Sequence, residues 1–494
     1  MFDKIKRLLG HTLVYGLGSS GSRFAGFILL PLYTRYLTPE DYGVLALVNL
    51  FGQILFTVAA MGQGTAVFRT YFTHDDAERR NEVITTSLWL VVLISFPISL
   101  LMLVVNKPLT LVLTGNADYT VWVMLGTLGV AFKVLMRLPF AVLRAREQSG
   151  RYAIWSFVQT VASLALAIAL VAGVHLGGKG VLLSQLLAEL IVCIYLVPAT
   201  IKGLSLKFSS QDARDLLGYG AYQVPTALLG FLIHMSDRYF LKHFASLHAV
   251  GIYSLGARFG EILLLAIMTF SLAWGPFLFE HRKSKDAPAL FARVCTYFAV
   301  LMGSLWLVVS LFSREVIAIM ARPAFHEAYQ VVPWIAGAYF FQGLAYVASI
   351  GFVLDRKIKY RPAVLATATV LNLGLNYLLV PRYQMMGAAW AGCLSFFVWF
   401  LLQTVVAQRI FPVPYEYGRL ARLGIVGIAV YAVATTIGWS SIWTALVGKA
   451  ALLLCVPVLL YACGFFVPGE MAQFKRTLLR KRSGRLVQAR GTSK

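Results

Sequence analysis

Apolar runs of about 18 to 26 residues recur along the whole chain, separated by short connectors, and most of the positive charge falls in every second connector. A helix rising about 1.5 Å per residue needs roughly 20 such residues to cross a hydrocarbon core. With 59% hydrophobic and 13% charged residues, too little polar sequence remains to clothe one soluble core. The pattern predicts an all-α polytopic membrane protein. Spans are expected near 11–36, 42–65, 84–105, 119–143, 152–174, 180–199, 218–239, 250–275, 291–312, 330–351, 362–380, 386–407, 419–438 and 446–467, about fourteen in all.

The Lys/Arg distribution orients these spans. The amino end carries Lys4, Lys6 and Arg7, and the even-numbered connectors carry sets such as Arg69, Arg79 and Arg80, then Arg144, Arg146 and Arg151, then Arg356, Lys357, Lys359 and Arg361. The stretch from Lys475 to Lys494 adds eight more, while the opposite connectors hold only scattered cations such as Arg35, Lys107 and Lys242. The bias predicts a multi-pass membrane protein with both termini in the cytoplasm. It also absorbs most of the formal +23 charge in short loops and a tail. Anionic lipid headgroups are its natural counterpart; a nucleic-acid surface would need one folded basic face.

No connector is long enough for a catalytic domain, and no nucleophile or general-base constellation stands out, so an enzyme is not expected. The first apolar segment lacks a cleavage site and reads as a retained helix. Cys193, Cys295, Cys393, Cys455 and Cys463 are widely spaced in apolar segments, without metal or redox spacing, and read as small buried hydrophobes. Neither a metal nor a cofactor is called for.

An internal similarity organises the spans. Gly43, Leu47, Phe51, Gly52, Ile54 and Leu55 recur as Gly251, Leu255, Phe259, Gly260, Ile262 and Leu263 at one offset of 208 positions, and Tyr152 recurs as Tyr360. Gly180 and Gly387 open comparable helices one residue out of step. Six spans per copy is an even number, so both copies enter the membrane alike and form a parallel repeat about an axis along the membrane normal. The expected division is an amino-terminal lobe at 1–214, a second lobe at 215–410, two added spans at 411–470 and a basic cytoplasmic tail at 471–494.

Several ionisable residues fall inside apolar segments: Arg23, Lys133, Arg137, Glu189, Asp237, Arg238, Arg258 and Glu261. Each costs about 2.5–3.5 kcal/mol at a helix centre on the insertion scale, so each should face a bundle interior or a wet cavity. The set is mainly cationic. A cavity lined by Arg23, Lys133, Arg137, Arg238 and Arg258 would attract an anion, with phosphate the obvious partner. Structural readings stand beside this one: Arg137 snorkelling to the interface, Arg258 pairing with Glu261 at i, i+3, and Asp237 either neutralising Arg238 or titrating with a coupling ion. Glu189, Asp237 and Glu261 are the candidates for coupling or charge pairing. His234, one turn before Arg238, reads as a hydrogen-bonded pore residue.

The opening stretch Arg23-Phe24 through Pro31, Tyr33, Arg35, Tyr36, Pro39-Glu40-Asp41-Tyr42-Gly43, followed by Gly62-Gln63-Gly64 and Arg69 and later by Ser236-Asp237-Arg238-Tyr239 with Gly251-Ile252-Tyr253, resembles the polysaccharide transporter branch of the multidrug/oligosaccharidyl-lipid/polysaccharide exporter superfamily. The resemblance covers almost the whole chain. It implies a flippase that moves an undecaprenyl-pyrophosphate-linked oligosaccharide from the cytoplasmic to the periplasmic leaflet by alternating access, for cell-surface polysaccharide synthesis. The implied partners are that anionic lipid-linked glycan, membrane lipids, polymerase and glycosyltransferase machinery, and H+ or Na+ as coupling ion. A peptidoglycan-precursor flippase and a multidrug exporter coupled to H+ or Na+ are the alternatives, the latter expected to have a more carboxylate-rich cavity.

Overall fold

The computed structural model describes residues 26–202, 204, 207–354 and 361–467, and every regular element among them is helical. In chain order these are α1 (Leu30–Tyr36), α2 (Pro39–Ala60), α3 (Gln63–Tyr71), α4 (Ala77–Val104), α5 (Asn106–Thr114), α6 (Thr120–Ala145), α7 (Ser149–Ala167), α8 (Gly177–Ile201) and α9 (Ser210–Phe244). The second half continues with α10 (Leu247–Gly260), α11 (Ile262–His281), α12 (Ala287–Met320), α13 (Val332–Ala348), α14 (Ile350–Leu354), α15 (Arg361–Ile410), α16 (Tyr417–Thr436) and α17 (Ile442–Ala462).

Eleven helical stretches among the described residues are long and apolar enough to cross a membrane, or twelve if the bent pair Pro323–Gln330 and Val332–Ala348 forms one span. The expectation of about fourteen exceeds this for two reasons. Most of the first expected span, including Arg23, lies outside the described residues, and the spans expected at 362–380 and 386–407 share the 50-residue α15. That helix folds back on itself. Gln384 interrupts it at φ 46°, ψ −123°, a region sparsely open to residues with a side chain, and Asn372 Nδ2 donates to Ser395 Oγ at 3.4 Å across 23 positions. A straight helix would hold those residues about 35 Å apart. Gly387 permits the tight return, since a Cβ there would overlap the Leu379 carbonyl oxygen.

Local chemistry sets the helix ends. Thr38 caps α2 in a reciprocal capping box with Asp41 and Pro39 follows at the first helical position; Ser246 caps α10 by accepting from the Ala249 amide. Thr38 and Ser246 are again 208 positions apart. Met61 and Gly62, both in the left-handed region at φ 43° and 63°, separate α2 from α3.

The offset reappears as a contact. At the α2/α10 crossing a Cβ on Gly43 would overlap the Leu247 carbonyl oxygen, and a Cβ on Gly251 would overlap the Pro39 carbonyl oxygen. Each glycine thus faces the start of the other's helix, and Glu40 Oε1 lies 2.8 Å from Nδ1 of His248, its counterpart at offset 208. A second contact joins the two halves at the opposite end of these helices. There Gly220 of α9 lies against the Met61 carbonyl, Thr65 Oγ1 donates to Gln223 Oε1 at 3.1 Å, and the Arg69 guanidinium sits 5.0 Å from the centre of the Tyr219 ring. The main apolar core runs through the first crossing, from Leu47 and Val48 to Val250, Leu255, Phe291 and Val332.

The last two helices dock on α12 through their own apolar cluster, Leu307 and Leu311 against Leu423, Val426, Val430, Val456 and Leu460. Two charged clasps reinforce it: Lys449 Nζ donates to Glu315 Oε1 at 2.6 Å, and Glu416 receives both Thr296 at 2.6 Å and Arg419 at 2.9 Å. Their other faces are apolar and exposed at Ile425, Trp443, Leu454 and Val458, as suits contact with lipid. Cys193 and Cys295 are buried, but Cys455 and Cys463 lie on this exposed side, so the buried-hydrophobe expectation does not hold for them.

Candidate functional site

The intramembrane charges sort into two groups of different character. In the second half, α9 brings His234, Asp237 and Arg238 against Tyr253, Arg258 and Glu261 of the α10 region. Arg238 is buried. Its Nη1 donates to Asp237 Oδ1 at 3.2 Å and to the His234 carbonyl at 3.3 Å, while Asp237 Oδ2 accepts from the Tyr253 hydroxyl. Asp237 is therefore engaged by a guanidinium and a phenol, the neutralising alternative of the sequence reading. His234 stacks on Tyr339 at 5.8 Å and places Nε2 at 3.3 Å from Gln342 Nε2.

Arg258 behaves differently. Its Nη1 donates to the Gly26 carbonyl at 3.2 Å, 232 positions away, and its guanidinium lies 5.8 Å from the centre of the Tyr42 ring. Beside it Phe27 and Phe259 meet edge to face at 5.3 Å. Glu261, the cap of α10, keeps its helical place with an amide bond to the Ala257 carbonyl at 2.9 Å, but the Arg258 guanidinium turns away from it to Gly26. Glu261 forms no ion pair within 4 Å among the described residues, yet its charge acts on both Arg238 and Arg258.

In the first half, Lys133 and Arg137 stand one turn apart on α6, both exposed, with their charged ends 5.3 and 5.6 Å from the centre of the Phe56 ring. Gly64 makes room for the arginine stem, since a Cβ there would sit 3.2 Å from Arg137 Cγ. Neither cation forms an ion pair within 4 Å among the described residues. Glu189 on α8 lies near enough for Lys133 and Gln159 to act on its carboxylate, and its Oε2 is buried without a partner among the described residues. Thus the first half presents exposed cations with no ion pair over an aromatic ring, and the second half holds a buried Arg238 and a half-buried Arg258, each bound to protein groups. Arg23 lies outside the described residues.

One cluster escaped the sequence reading. Ser236 Oγ donates to Asn372 Oδ1 at 3.0 Å, and Asn376 Nδ2 donates to the same oxygen at 3.1 Å, beside the Asn372–Ser395 bond. Uncharged residues raise no alarm in a hydropathy scan, but two asparagines at i, i+4 in an apolar run were the available signal. No group of three or more His, Cys, Asp or Glu among the described residues could hold a metal ion. A recess of about 490 Å³ opens among the connectors beside Arg79, Glu82, Lys207 and Ser209. Its cations are already paired, Arg79 with Glu82 at 2.8 Å and Lys207 with Glu78 at 3.1 Å, so it makes a poor anion site.

Residues 8–281 match the family described as Polysaccharide biosynthesis protein. The chain is similar to Lsg locus putative protein 1 of Haemophilus influenzae, 24% identical over 56% of this chain and 66% of that one, and to the probable low-salt glycan biosynthesis flippase Agl15 of Haloferax volcanii, 23% identical over 62% and 64%. The match therefore spans just under two thirds of those relatives' own length. Among solved structures, the lipid II flippase MurJ in an inward closed conformation superposes with a TM-score of 0.72 over 92% of this chain and 99% of that one, at 11% identity. An inward-facing multidrug resistance MATE family transporter gives 0.68 over 82% and 96%, at 13% identity. At such identities the likeness is one of fold.

Proposed function

This chain belongs to the Polysaccharide biosynthesis protein family, and we propose that it is a transporter, of the kind seen in lipid-linked-glycan flippases, that carries a pyrophosphate-linked oligosaccharide lipid from the cytoplasmic to the periplasmic leaflet. The observation that carries this reading is the exposed Lys133–Arg137 pair over Phe56. Two cations one turn apart, with no carboxylate bound to them among the described residues, suit a multiply charged phosphate head; an organic cation would be repelled. In this reading residues 1–214 and 215–410 act as two lobes about the α2/α10 crossing, the glycan head passes between them, and the lipid chain stays in the bilayer. H+ or Na+ supplies the drive. The residues at 411–470 travel with the second lobe, to which the Lys449 and Glu416 clasps bind them.

A peptidoglycan-precursor flippase shares the same head chemistry, and the structural superposition on a lipid II flippase over 92% of the chain favours keeping it as the second reading. In liposomes the substituted chain Lys133→Gln/Arg137→Gln should flip undecaprenyl-pyrophosphate-linked oligosaccharide about ten- to a hundredfold more slowly, as expected for losing two charge-assisted contacts, at unchanged membrane insertion. Lys357→Ala, at a position outside the described residues that the sequence places in a basic connector, serves as the control for total charge. Equal slowing in both would mean that broad positive charge is responsible, not a site. Preference for a lipid-linked peptidoglycan precursor would move the substrate to the second reading, and export of organic cations instead of either lipid would move the chain to the multidrug class.

A further inference from the structure

Arg258 is bound to the wrong kind of partner for a residue that only stabilises the fold. Its Nη1 spends its hydrogen bond on a neutral backbone carbonyl, that of Gly26, at 3.2 Å. Next to it the buried Tyr42 hydroxyl faces the same guanidinium and has no acceptor for its own proton among the described residues. Glu261, the nearest carboxylate along the chain, is not paired with Arg258 within 4 Å. A guanidinium and an unused phenol donor therefore sit together, with no anionic acceptor bound to either among the described residues.

The carbonyl lies just ahead of α1, and among the described residues the polar and ring contacts of that segment with the second half of the chain include the Arg258 bond, the Phe27–Phe259 edge contact at 5.3 Å and the bond from Thr34 Oγ1 to the Met320 carbonyl at 3.2 Å, beside apolar packing of Leu29, Leu30 and Tyr33 in the main core. Gly26 is shaped around the arginine, because a Cβ there would come within 2.8 Å of Nη1. We infer that Arg258 is a substrate-released latch: a pyrophosphate ester draws the guanidinium away from the Gly26 carbonyl, takes the Tyr42 hydroxyl as a second donor, and so frees the first helical segment from the second half of the chain.

The exchange follows from bond strength. A phosphate brings opposite charge where the carbonyl brings only a dipole, and a guanidinium can meet it through two N–H groups at once. Nothing covalent changes; one hydrogen bond replaces another. The consequence is that the empty protein stays latched and the loaded one is free to move, which couples movement to cargo. The latch rests on the reading of the cargo as a pyrophosphate lipid, and its test must separate the two.

Spin labels at Asp118→Cys and Glu327→Cys, exposed positions in the two halves, report their separation in a chain whose native cysteines are replaced. Inorganic pyrophosphate and undecaprenyl pyrophosphate in nanodiscs are added separately, with binding measured by calorimetry. The expected result is a longer-distance population that rises severalfold with pyrophosphate in the parent chain. In Gly26→Ala, whose methyl displaces the guanidinium, that population should be raised without ligand and respond little to it. Arg258→Lys, which keeps the charge but loses the fork, should still bind while showing the same loosened resting state. A response to the lipid but not to the free ion would place the trigger on the membrane-borne headgroup. Pyrophosphate binding in the parent with identical distances in all three chains would overturn the latch. Absence of binding by either form would overturn the pyrophosphate reading itself.

Discussion

Gly251→Val is expected to cut lipid-linked oligosaccharide translocation by about a hundredfold or more while the protein still inserts, and Gly43→Val should do the same. At this crossing the backbones of α2 and α10 are in contact, and the obstacle to a side chain is a carbonyl oxygen, that of Pro39 for Gly251 and that of Leu247 for Gly43. A flexible side chain can rotate away; a helix backbone cannot move without carrying its helix. Overpacking in a yielding core costs about 1–3 kcal/mol, and a rigid obstacle sits at the top of that range or beyond it. A bias of about 3 kcal/mol against one of two states shifts their ratio by roughly 150-fold, enough to hold the crossing open for nearly all of the cycle. Gly52→Ala is the fitting control. The added methyl there meets only a Val130 methyl, at 3.2 Å, so flipping should stay within about twofold of the parent. Parent-like flipping by Gly251→Val, at matched protein level, would show that the crossing never needs to close.

The second large effect concerns stability. Glu315→Ala leaves Lys449 buried with only the Leu311 carbonyl at 2.8 Å, and the loss of one partner of a buried ion pair costs about 3–5 kcal/mol. Thermal unfolding of the detergent-solubilised protein should show a clear fall in midpoint. The double change Glu315→Leu/Lys449→Met removes both charges and should recover most of it, because two well-packed apolar groups replace a pair that was costly to desolvate. A double variant as unstable as the single one would mean that the pair supplies net attraction beyond its desolvation cost. The clasp at the other end, where Glu416 is shared by Thr296 and Arg419, holds α16 independently. Even the single variant should therefore keep its last two helices docked at that end.

How much of this could be read from the chain depends on range. Helical spans are local, and the alternation of apolar runs and basic connectors marks them directly; the count falls short only where α15 runs two expected spans together and where the first span leaves the described residues. The 208-residue offset was legible at Gly43 and Gly251, yet Thr38 with Ser246 and Glu40 with His248 share it and escape notice, because a threonine matched to a serine or a glutamate to a histidine does not register as identity. The charges were found by their cost in lipid. Their partners were not all predictable. Asp237 beside Arg238 is adjacent in sequence and could be proposed, whereas the acceptor of Arg258 is a backbone carbonyl 232 positions away, which no side-chain pattern reveals. Pairing of Glu261 with Arg258 was one reading of their helical spacing; the spacing holds, since the Glu261 amide still bonds to the Ala257 carbonyl at 2.9 Å, but the arginine turns to the Gly26 carbonyl instead.

The pairing of Glu40 with His248 joins two positions 208 residues apart in a way that two identical chains could not. If two identical subunits met through this surface, symmetry would set each residue near the axis against its own copy, glutamate against glutamate or histidine against histidine, and like groups held close repel when charged. Within one polypeptide the two positions are encoded separately and can differ, so this contact sets an acid against a base at 2.8 Å. One chain can thus place complementary groups at a spot where two copies of a single sequence would set like against like.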